Sequence, residues 1–179
     1  VPVEDEDISK QMERSLKKAG IKIMTNSSVE RIDTTGSGVK AFVKTAKGEE
    51  VLEADILLSA VGIKTNIENI GLEEVGIATD KDKILVNAYN QTNIPGYYAI
   101  GDVTPGQALA HVASAEGINC VEKIAGLHVE PIDYGNVPGC TYATPEIASV
   151  GLTEKQAKEK GYELKIGKFP FSASGKAKA

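Results

Sequence analysis

The first third of the chain changes from a helical to a strand-like spacing of apolar residues. Ile8, Met12 and Leu16 recur at the period of a helix, so we predict a helix over residues 4–19. Glycine-containing turns separate the apolar-rich runs that follow, and this arrangement predicts an antiparallel meander. The runs are residues 21–24, 29–32, 39–43 and 51–52.

Two later runs lack alternation, which is typical of short strands that are buried on both faces of a parallel sheet. They cover residues 56–61 and 97–100, and the second run leads directly into Gly101-Asp102. A helix is predicted over residues 108–125, so a strand, an acidic turn and a helix follow one another, as in α/β folds. The predicted apolar stripe of this helix consists of Leu109, Val112, Ala113, Val121 and Ile124.

The last quarter of the chain predicts a smaller unit with its own strands and one helix. The helix is expected at residues 153–160, where Thr153 and Gln156 have the spacing of a capping box. Polar or loop-like stretches at residues 63–93 and 127–137 mark places where domains join. The short strands are expected at residues 141–143, 148–150 and 164–171.

Composition and charge narrow the range of functions. The 179 residues carry 20 Lys and Arg against 25 Asp and Glu, a net charge of −5, so no basic surplus exists to neutralise a nucleic-acid backbone. No apolar run approaches the roughly 20 residues of a membrane helix. Cys120 and Cys140 are too far apart for a C-x-x-C motif. We therefore expect a soluble, cytoplasmic protein that binds neither nucleic acid nor membrane.

Several patterns that could carry chemistry have simpler explanations. Residues 36–41 match the letters of a dinucleotide fingerprint, but apolar and polar residues keep alternating through 39–45, so a hairpin turn is predicted. His111 and His128 lack further ligands at metal-binding spacing, and no metal site is expected. No G-x-S-x-G motif is present, and Cys140 is predicted to be a buried thiol.

Asp102 is the strongest candidate for a ligand contact. It follows a predicted buried strand, which places its carboxylate at the edge where open α/β sheets bind their ligands. A carboxylate there can accept hydrogen bonds from ligand hydroxyls, and the helix that starts near Ala108 presents free N–H groups and the positive end of its dipole. The alternative is that Asp102 caps this helix, so a ligand site and a structural role both stay open.

Several motifs together resemble the pyridine nucleotide-disulfide oxidoreductases. Thr92-Asn-Ile-Pro-Gly-Tyr-Tyr-Ala-Ile-Gly-Asp102 is similar to the second FAD-binding motif of that family, T-x6-A-h-G-D. Leu109-Ala-His-Val-Ala-Ser-Ala-Glu-Gly117 resembles the dihydrolipoamide dehydrogenase branch in particular. The resemblance is collinear and runs over the whole chain. The further matching segments are residues 54–62, 69–73, 142–151 and 167–171.

The resemblance implies a mixed α/β and α+β fold. It consists of partial FAD/NAD(P)-binding Rossmann-like domains with an antiparallel meander, followed by the start of an α+β dimerisation domain. Residues 1–66 would be the C-terminal part of the NAD-binding domain, and residues 67–134 the central, FAD-binding segment. Residues 135–179 would be the N-terminal part of the dimer-interface domain.

The resemblance also implies cofactor contacts, an activity and partners. Asp102 would bind the ribityl chain of FAD, and Gly62 would lie beside the nicotinamide nucleotide of NAD. The activity implied is oxidation of dihydrolipoyl groups of 2-oxoacid dehydrogenase complexes, with NAD⁺ as acceptor. The partners implied are a second copy of the protein and the dihydrolipoyl acyltransferase core of such a complex. The residues implied to line the pyrimidine edge of the flavin are Ala108, Leu109, Ala110 and His111.

Motifs on which the family's chemistry depends are not found in these residues. They are the C-x4-C redox pair, the glycine-rich turns for FAD and NAD, and the H-P-H-P-T segment with the catalytic histidine. We therefore expect a fragment that is inactive alone and contains no catalytic residue. Ile63-Lys64 stand where the family often has arginine. The alternatives are a related disulfide reductase of the same family and a non-catalytic assembly module that retains the scaffold.

Overall fold

The structure is a computed structural model that describes residues 1–178. Its contacts divide the chain into two units, one containing Val1–Lys22 with the chain from Gly135 on, and the other containing Ile23–Tyr134. None of the helices in residues 1–178 is long and apolar enough to cross a membrane. The three-domain division of the chain at residues 66 and 134 stays a prediction.

The described elements mix helices with short antiparallel sheets, which confirms the expected fold class. The helices are α1 (Glu6–Lys18), α2 (Leu72–Val75), α3 (Ala110–Ile124) and α4 (Glu154–Glu159). The strands are β1 (Ser28–Thr35), β2 (Gly38–Thr45), β3 (Gly48–Ala54), β4 (Thr79–Asp80), β5 (Lys83–Ile84), β6 (Gly139–Thr141) and β7 (Ile147–Ser149). Turns of 3-10 helix lie at Gly101–Val103, Tyr134–Asn136, Phe171–Ala173 and Lys176–Lys178.

The predicted meander is confirmed in the Ile23–Tyr134 unit. Strands β1, β2 and β3 form an antiparallel sheet in that order, and Ala41 on the central strand lies opposite both Ile32 and Leu52. Ala41 and Val43 are its buried side chains. The chain turns back between β1 and β2 at Gly36, so the hairpin prediction is correct and no fingerprint helix begins there. Residues 21–24 do not form a strand, which corrects the start of the meander.

The prediction of two strands buried on both faces of a sheet is wrong. Residues 56–61 form no strand, and Leu58 and Val61 are 86% and 96% exposed. Residues 97–100 form only a single antiparallel bridge, between Tyr98 and Gln91. A strand requires hydrogen-bonding partners on a neighbouring strand. Among residues 1–178, the run 56–61 pairs with no strand, and the run 97–100 pairs only with the short segment around Gln91.

Helix α3 is confirmed, but its buried stripe differs from the predicted one. Its buried side chains are Val112, Glu116 and Cys120, which follow one another at intervals of four residues. Val121 and Ile124, assigned to the apolar stripe, are 64% and 56% exposed. The helix therefore buries a face that includes a carboxylate and leaves part of its apolar surface uncovered.

The other unit joins the first helix to the last part of the chain. Asp5 caps α1 by accepting a hydrogen bond from the Asp7 N–H (3.2 Å), and its second oxygen accepts from the Glu154 N–H (2.9 Å). Lys168 forms an ion pair with Asp7. One carboxylate therefore satisfies backbone donors at the start of both α1 and α4.

Strands β6 and β7 lie close to the short strands predicted at residues 141–143 and 148–150 and form an antiparallel pair. They correct the expectation for Cys140. Cys140 lies opposite Ala148, between the partly buried Gly139 and Thr141, and its side chain is exposed. Alternate residues of a strand face opposite sides, and Cys140 is on the uncovered side. The strand expected at residues 164–171 is absent, since residues 164–170 have no regular secondary structure and a 3-10 turn begins at Phe171.

The capping box of α4 is present and generates a prediction. The Thr153 hydroxyl accepts from the Gln156 N–H (3.2 Å), and the Gln156 side chain accepts from the Thr153 N–H (2.9 Å). We expect Thr153→Ala to destabilise α4 by about 1 kcal/mol, seen as roughly fivefold faster exchange of the Gln156 amide. Thr153→Ser retains the hydroxyl and is the control. Equal exchange rates in the two variants would contradict this assignment.

Candidate functional site

The carboxylate of Asp102 is exposed on a short turn of 3-10 helix, Gly101–Val103, that packs on α3. Among the described side chains, none forms a hydrogen bond or an ion pair with this carboxylate. It does not cap α3 either, since the N-cap position of that helix is Leu109. The structure therefore removes the helix-cap alternative and leaves the Asp102 carboxylate available to a ligand.

The backbone of this turn is held on several sides. The Gly101 N–H donates to Oε2 of Glu116 (2.6 Å). The Gly101 carbonyl accepts from both the N–H (2.9 Å) and the hydroxyl (2.8 Å) of Thr104. The Asp102 carbonyl accepts from Nζ of Lys83 (2.5 Å). The position of the Asp102 side chain is thus determined by contacts of its backbone and of the preceding residue.

Close packing also requires glycine at position 101. Its φ of +74° lies in the left-handed region, and an added Cβ would stand 3.2 Å from Cβ of Ala113 on α3. Gly117 has a similar role on α3 itself, because a Cβ there would lie 3.3 Å from Cδ1 of Ile100. The two glycines allow the chain before Asp102 to lie directly against the helix.

A small hairpin leads the chain into Gly101. Gln91 and Tyr98 form its antiparallel bridge. Thr92 is 8% exposed, and its hydroxyl accepts from the N–H of Ile94 (3.1 Å) and lies 3.2 Å from the Ile94 carbonyl. The first residue of the T-x6-A-h-G-D pattern therefore shapes the turn of this hairpin.

Glu116 is the residue of the site that the sequence reasoning missed. Its side chain is 2% exposed, with Oε2 bonded to the Gly101 N–H and Oε1 bonded to the Tyr134 hydroxyl (2.7 Å). The ring of Tyr134 lies beside Gly106, since a Cβ on that glycine would be 3.8 Å from the ring. A signal was present, because Glu116 occupies the same helical stripe as Val112 and Cys120. A lone carboxylate on an apolar stripe indicates a specific partner.

The predicted flavin-edge residues lie at the start of α3. Leu109 has extended backbone angles (φ −134°, ψ 135°) and no side-chain hydrogen bond that caps the helix. Its carbonyl accepts from the Val112 and Ala113 N–H groups (3.0 Å each). Ala108, Ala110 and His111 are exposed, and Leu109 is partly buried. Ala110 and His111 thus begin α3, Leu109 is its N-cap, and the Asp102 turn packs on the same helix.

Gly62 lies in a separate, exposed stretch of chain without regular secondary structure. Its φ is +131°, and an added Cβ would meet no atom within 4 Å. Three residues later, Thr65 donates its N–H to Oδ2 of Asp82 (3.0 Å) and its hydroxyl to the Asp82 carbonyl. The bond from the Thr65 backbone lowers the pKa of the Asp82 carboxyl.

The turn between β4 and β5 connects the two halves of the predicted site. Asp82 binds Thr65, and the next residue, Lys83, binds the Asp102 carbonyl. Lys64, at the position where the family often has arginine, forms an ion pair with Glu68. The segment after Gly62 and the Asp102 turn are therefore linked through adjacent residues of one hairpin.

Neither cysteine has the surroundings of a redox centre. Cys120 is buried on α3, and burial raises the pKa of its thiol, so the neutral form is favoured. Cys140 is exposed on β6. Residues 1–178 contain no cluster of three or more His, Cys, Asp or Glu side chains that could hold a metal ion.

Comparison with protein families gives two matches that follow one another along the chain. Residues 1–117 match the family model described as pyridine nucleotide-disulphide oxidoreductase. Residues 137–179 match the dimerisation domain of the same family. The first match alone covers more than half of the chain and includes Asp102, Ala113 and Glu116.

Relatives among curated proteins are similar to this chain over nearly its whole length. The dihydrolipoyl dehydrogenase of Rhizobium etli is 48% identical over 179 residues, which are 99% of this chain and 37% of the relative. The mitochondrial dihydrolipoyl dehydrogenase of Pisum sativum is 47% identical over 100% of this chain and 36% of the relative. The leghemoglobin reductase of Glycine max is also 47% identical, over 100% of this chain and 35% of the relative. The chain therefore spans a little over a third of the length of these relatives.

Solved structures agree with the fold. LpdA from Mycobacterium tuberculosis superposes with a TM-score of 0.87 at 28% identity, over 98% of this chain and 38% of that protein. The HOCl-induced flavoprotein disulfide reductase RclA from Escherichia coli gives a TM-score of 0.87 at 28% identity, over 99% of this chain and 40% of that protein.

The bond between Tyr134 and Glu116 generates a prediction for alkaline pH. Although 40% of the Tyr134 surface is exposed, burial and the bond to Glu116 raise the pKa of its phenol to about 12. An unfolded tyrosine ionises near pH 10, so the stability that the neutral phenol contributes is complete below about pH 10 and is lost as the pH rises through 12. The measurement is the phenolate absorbance of the wild type minus that of Tyr134→Phe.

The control for this titration is Glu116→Gln. Removing the negative charge is expected to lower the pKa of Tyr134, because the carboxylate disfavours the phenolate. A difference spectrum that titrates like free tyrosine in the wild type would contradict the bond.

Proposed function

The chain belongs to the pyridine nucleotide-disulphide oxidoreductase family, and we propose that it is part of a dihydrolipoyl dehydrogenase that uses FAD and NAD. The observation that carries the proposal is the exposed Asp102 carboxylate on a turn whose neighbouring backbone groups are bonded within the chain. The activity proposed is oxidation of dihydrolipoyl groups of 2-oxoacid dehydrogenase complexes, with NAD⁺ as acceptor. It belongs to the whole protein, and this chain supplies only a portion of the cofactor site.

The residues of the Asp102 turn fit the ribityl chain of a flavin. A carboxylate without a protein partner is an acceptor for sugar-alcohol hydroxyls. Because Gly101 has no side chain and lies against Ala113, the backbone approaches α3 closely and Asp102 is held beside the helix. In this proposal, Asp102 binds and orients the ribityl hydroxyls.

The start of α3 fits the pyrimidine edge of the ring. The exposed side chains of Ala108 and Ala110 are small, and a helix N-terminus favours negative charge. When bound, FAD supplies the two-electron chemistry that links thiol oxidation to reduction of NAD⁺. Leu109 and His111 complete the proposed edge, which holds the ring in one orientation. No residue of this chain is proposed as catalytic.

Gly62 is proposed to lie beside the nicotinamide nucleotide of NAD. Its left-handed φ and the open space around it allow a ligand to approach the backbone closely. The Thr65–Asp82 bonds hold the chain that follows Gly62. Residues 56–63 before this anchor are exposed and have no regular secondary structure.

Partners and compartment follow from the same family membership. The match of residues 137–179 to the dimerisation domain and the exposure of Tyr142 (86%), Phe169 (73%) and Phe171 (81%) support a homodimer formed through this region. The dihydrolipoyl acyltransferase core is the proposed assembly partner. The free thiols of Cys120 and Cys140 favour a reducing compartment, and the compartment proposed is the cytoplasm.

A related disulfide reductase is the second candidate. It is favoured by the structural similarity to RclA, whose name describes a flavoprotein disulfide reductase. The identity of 28% to that protein is lower than the 48% to the Rhizobium etli dihydrolipoyl dehydrogenase. Dihydrolipoamide as substrate, compared with other low-molecular-weight dithiols and disulfides, separates the two candidates.

The product of the complete reading frame that contains this chain provides the test. We expect it to bind FAD and to oxidise dihydrolipoamide with NAD⁺. Asp102→Ala is expected to weaken FAD binding by about 10- to 100-fold, because a hydrogen bond to a charged group contributes about 1.5–3 kcal/mol. The measurement is titration of the flavin-free protein with FAD.

Asp80→Ala is the matched control, since Asp80 is an exposed aspartate on β4 of the same unit. It is expected to bind FAD like the wild type. Equal binding by the wild type and Asp102→Ala would contradict the proposed site. Flavin binding without any dihydrolipoamide or disulfide turnover would instead support a non-catalytic assembly module.

A further inference from the structure

The side chain of Glu116 lies between two segments of the candidate flavin site. It is 2% exposed, and both of its oxygens accept hydrogen bonds from groups outside α3. Burying a carboxylate is unfavourable unless donors replace the lost water. Here the donors are one backbone N–H and one phenol, so the helix can bury this charge only while both segments stay in place.

The more important donor is the Gly101 N–H, because Gly101 immediately precedes Asp102. The 2.6 Å bond to Oε2 determines where the peptide group before Gly101 lies. The left-handed φ of Gly101 and the 3.2 Å approach to Ala113 leave little space for this peptide to move toward the helix. The direction in which the chain enters Asp102 is therefore set by Glu116.

The second donor ties the site to the end of the unit. The Tyr134 hydroxyl binds Oε1 at 2.7 Å, and Tyr134 is the last residue of the Ile23–Tyr134 unit. Because this bond engages the other oxygen, it limits rotation of the carboxylate group and keeps Oε2 directed at Gly101. The bond from Tyr134 to Oε1 thus helps to keep Oε2 of Glu116 in position to accept from the Gly101 N–H.

We propose that Glu116 is a positioning residue for the flavin, acting through the Gly101 N–H on the direction of the Asp102 carboxylate. The proposal rests on the proposed function, since it concerns the same ribityl contact. Glu116 does not reach the ligand in this arrangement. It makes the turn rigid before the ligand arrives, and less ordering is then required on binding.

A double-mutant cycle tests this role in the product of the complete reading frame. We expect Glu116→Ala to weaken FAD binding about tenfold, and to change it by less than about twofold when Asp102→Ala is already present. Non-additivity follows because Glu116 acts only through Asp102. Glu122→Ala is the matched control, since Glu122 lies on the exposed side of α3 and is expected to change neither binding nor stability.

A second readout follows the Gly101 amide without any flavin. We expect its hydrogen exchange to be at least about tenfold faster in Glu116→Ala than in Glu122→Ala. Glu116→Gln keeps an acceptor for Gly101 and an amide that can donate to Tyr134, so it is expected to bind FAD within about threefold of the wild type. Glu116→Gln and Tyr134→Phe carry the test if Glu116→Ala does not fold.

The outcomes distinguish a failure of the inference about Glu116 from a failure of the proposed function. Equal weakening by Glu116→Ala with and without Asp102 would show a merely structural role and overturn the inference. Unchanged binding in Glu116→Ala, while Asp102→Ala loses FAD, would overturn the inference and leave the proposed function standing. Unchanged binding in Asp102→Ala would overturn the proposed function itself, whatever the exchange of the Gly101 amide.

Discussion

The bond between the buried Glu116 carboxylate and the Gly101 N–H is the constraint on which the candidate site depends. A charge that is 2% exposed tolerates few arrangements of its surroundings, because each lost donor leaves an unsatisfied oxygen in a poorly solvated place. The turn is therefore held on the helix by packing and also by the Glu116 carboxylate, which needs the Gly101 N–H as a hydrogen-bond donor. Thr104 and Lys83 complete the constraint by binding the carbonyls of Gly101 and Asp102. The Asp102 carboxylate itself forms no bond to a described side chain and remains available to a ligand.

The β4–β5 hairpin gives this site a second connection within the unit. Its turn places an acceptor and a donor next to each other in sequence, with Asp82 bound to Thr65 and Lys83 bound to the Asp102 carbonyl. A two-strand hairpin of this length has little stability of its own. It is stabilised by the segments that it connects, and it relates the chain after Gly62 to the turn at Asp102. Elements that look like plain connection in the sequence therefore organise both candidate cofactor contacts.

The elements predicted correctly are those that depend on residues close together in the sequence. Helix α1, the meander and the capping box of Thr153 depend on neighbours a few residues away, and all three are present. Residues 56–61 and 97–100 were misassigned because an apolar run encodes burial, whereas a strand also requires a partner that the run does not specify. Cys140 was misassigned because the choice of strand face depends on what covers it. Asp102 was chosen from its place after the run 97–100, which forms only a single bridge, and from the motif, so its ligand contact stays a prediction. Glu116 was missed because its partner lies 15 residues away.

The two candidate cofactor contacts differ in how firmly contacts within this chain hold the backbone around them. The backbone of the Asp102 turn is bonded to Glu116, Thr104 and Lys83, so its conformational entropy is already lost on folding. Gly62 follows a stretch in which Val61 is 96% exposed, and its nearest described anchor is Thr65. Because residues 56–63 are largely apolar and make no strand pairs here, their order must come from contacts other than those within this stretch. The proposed flavin contact thus rests on hydrogen bonds and packing within one unit, whereas the proposed nicotinamide contact depends on contacts that residues 56–63 do not make among themselves.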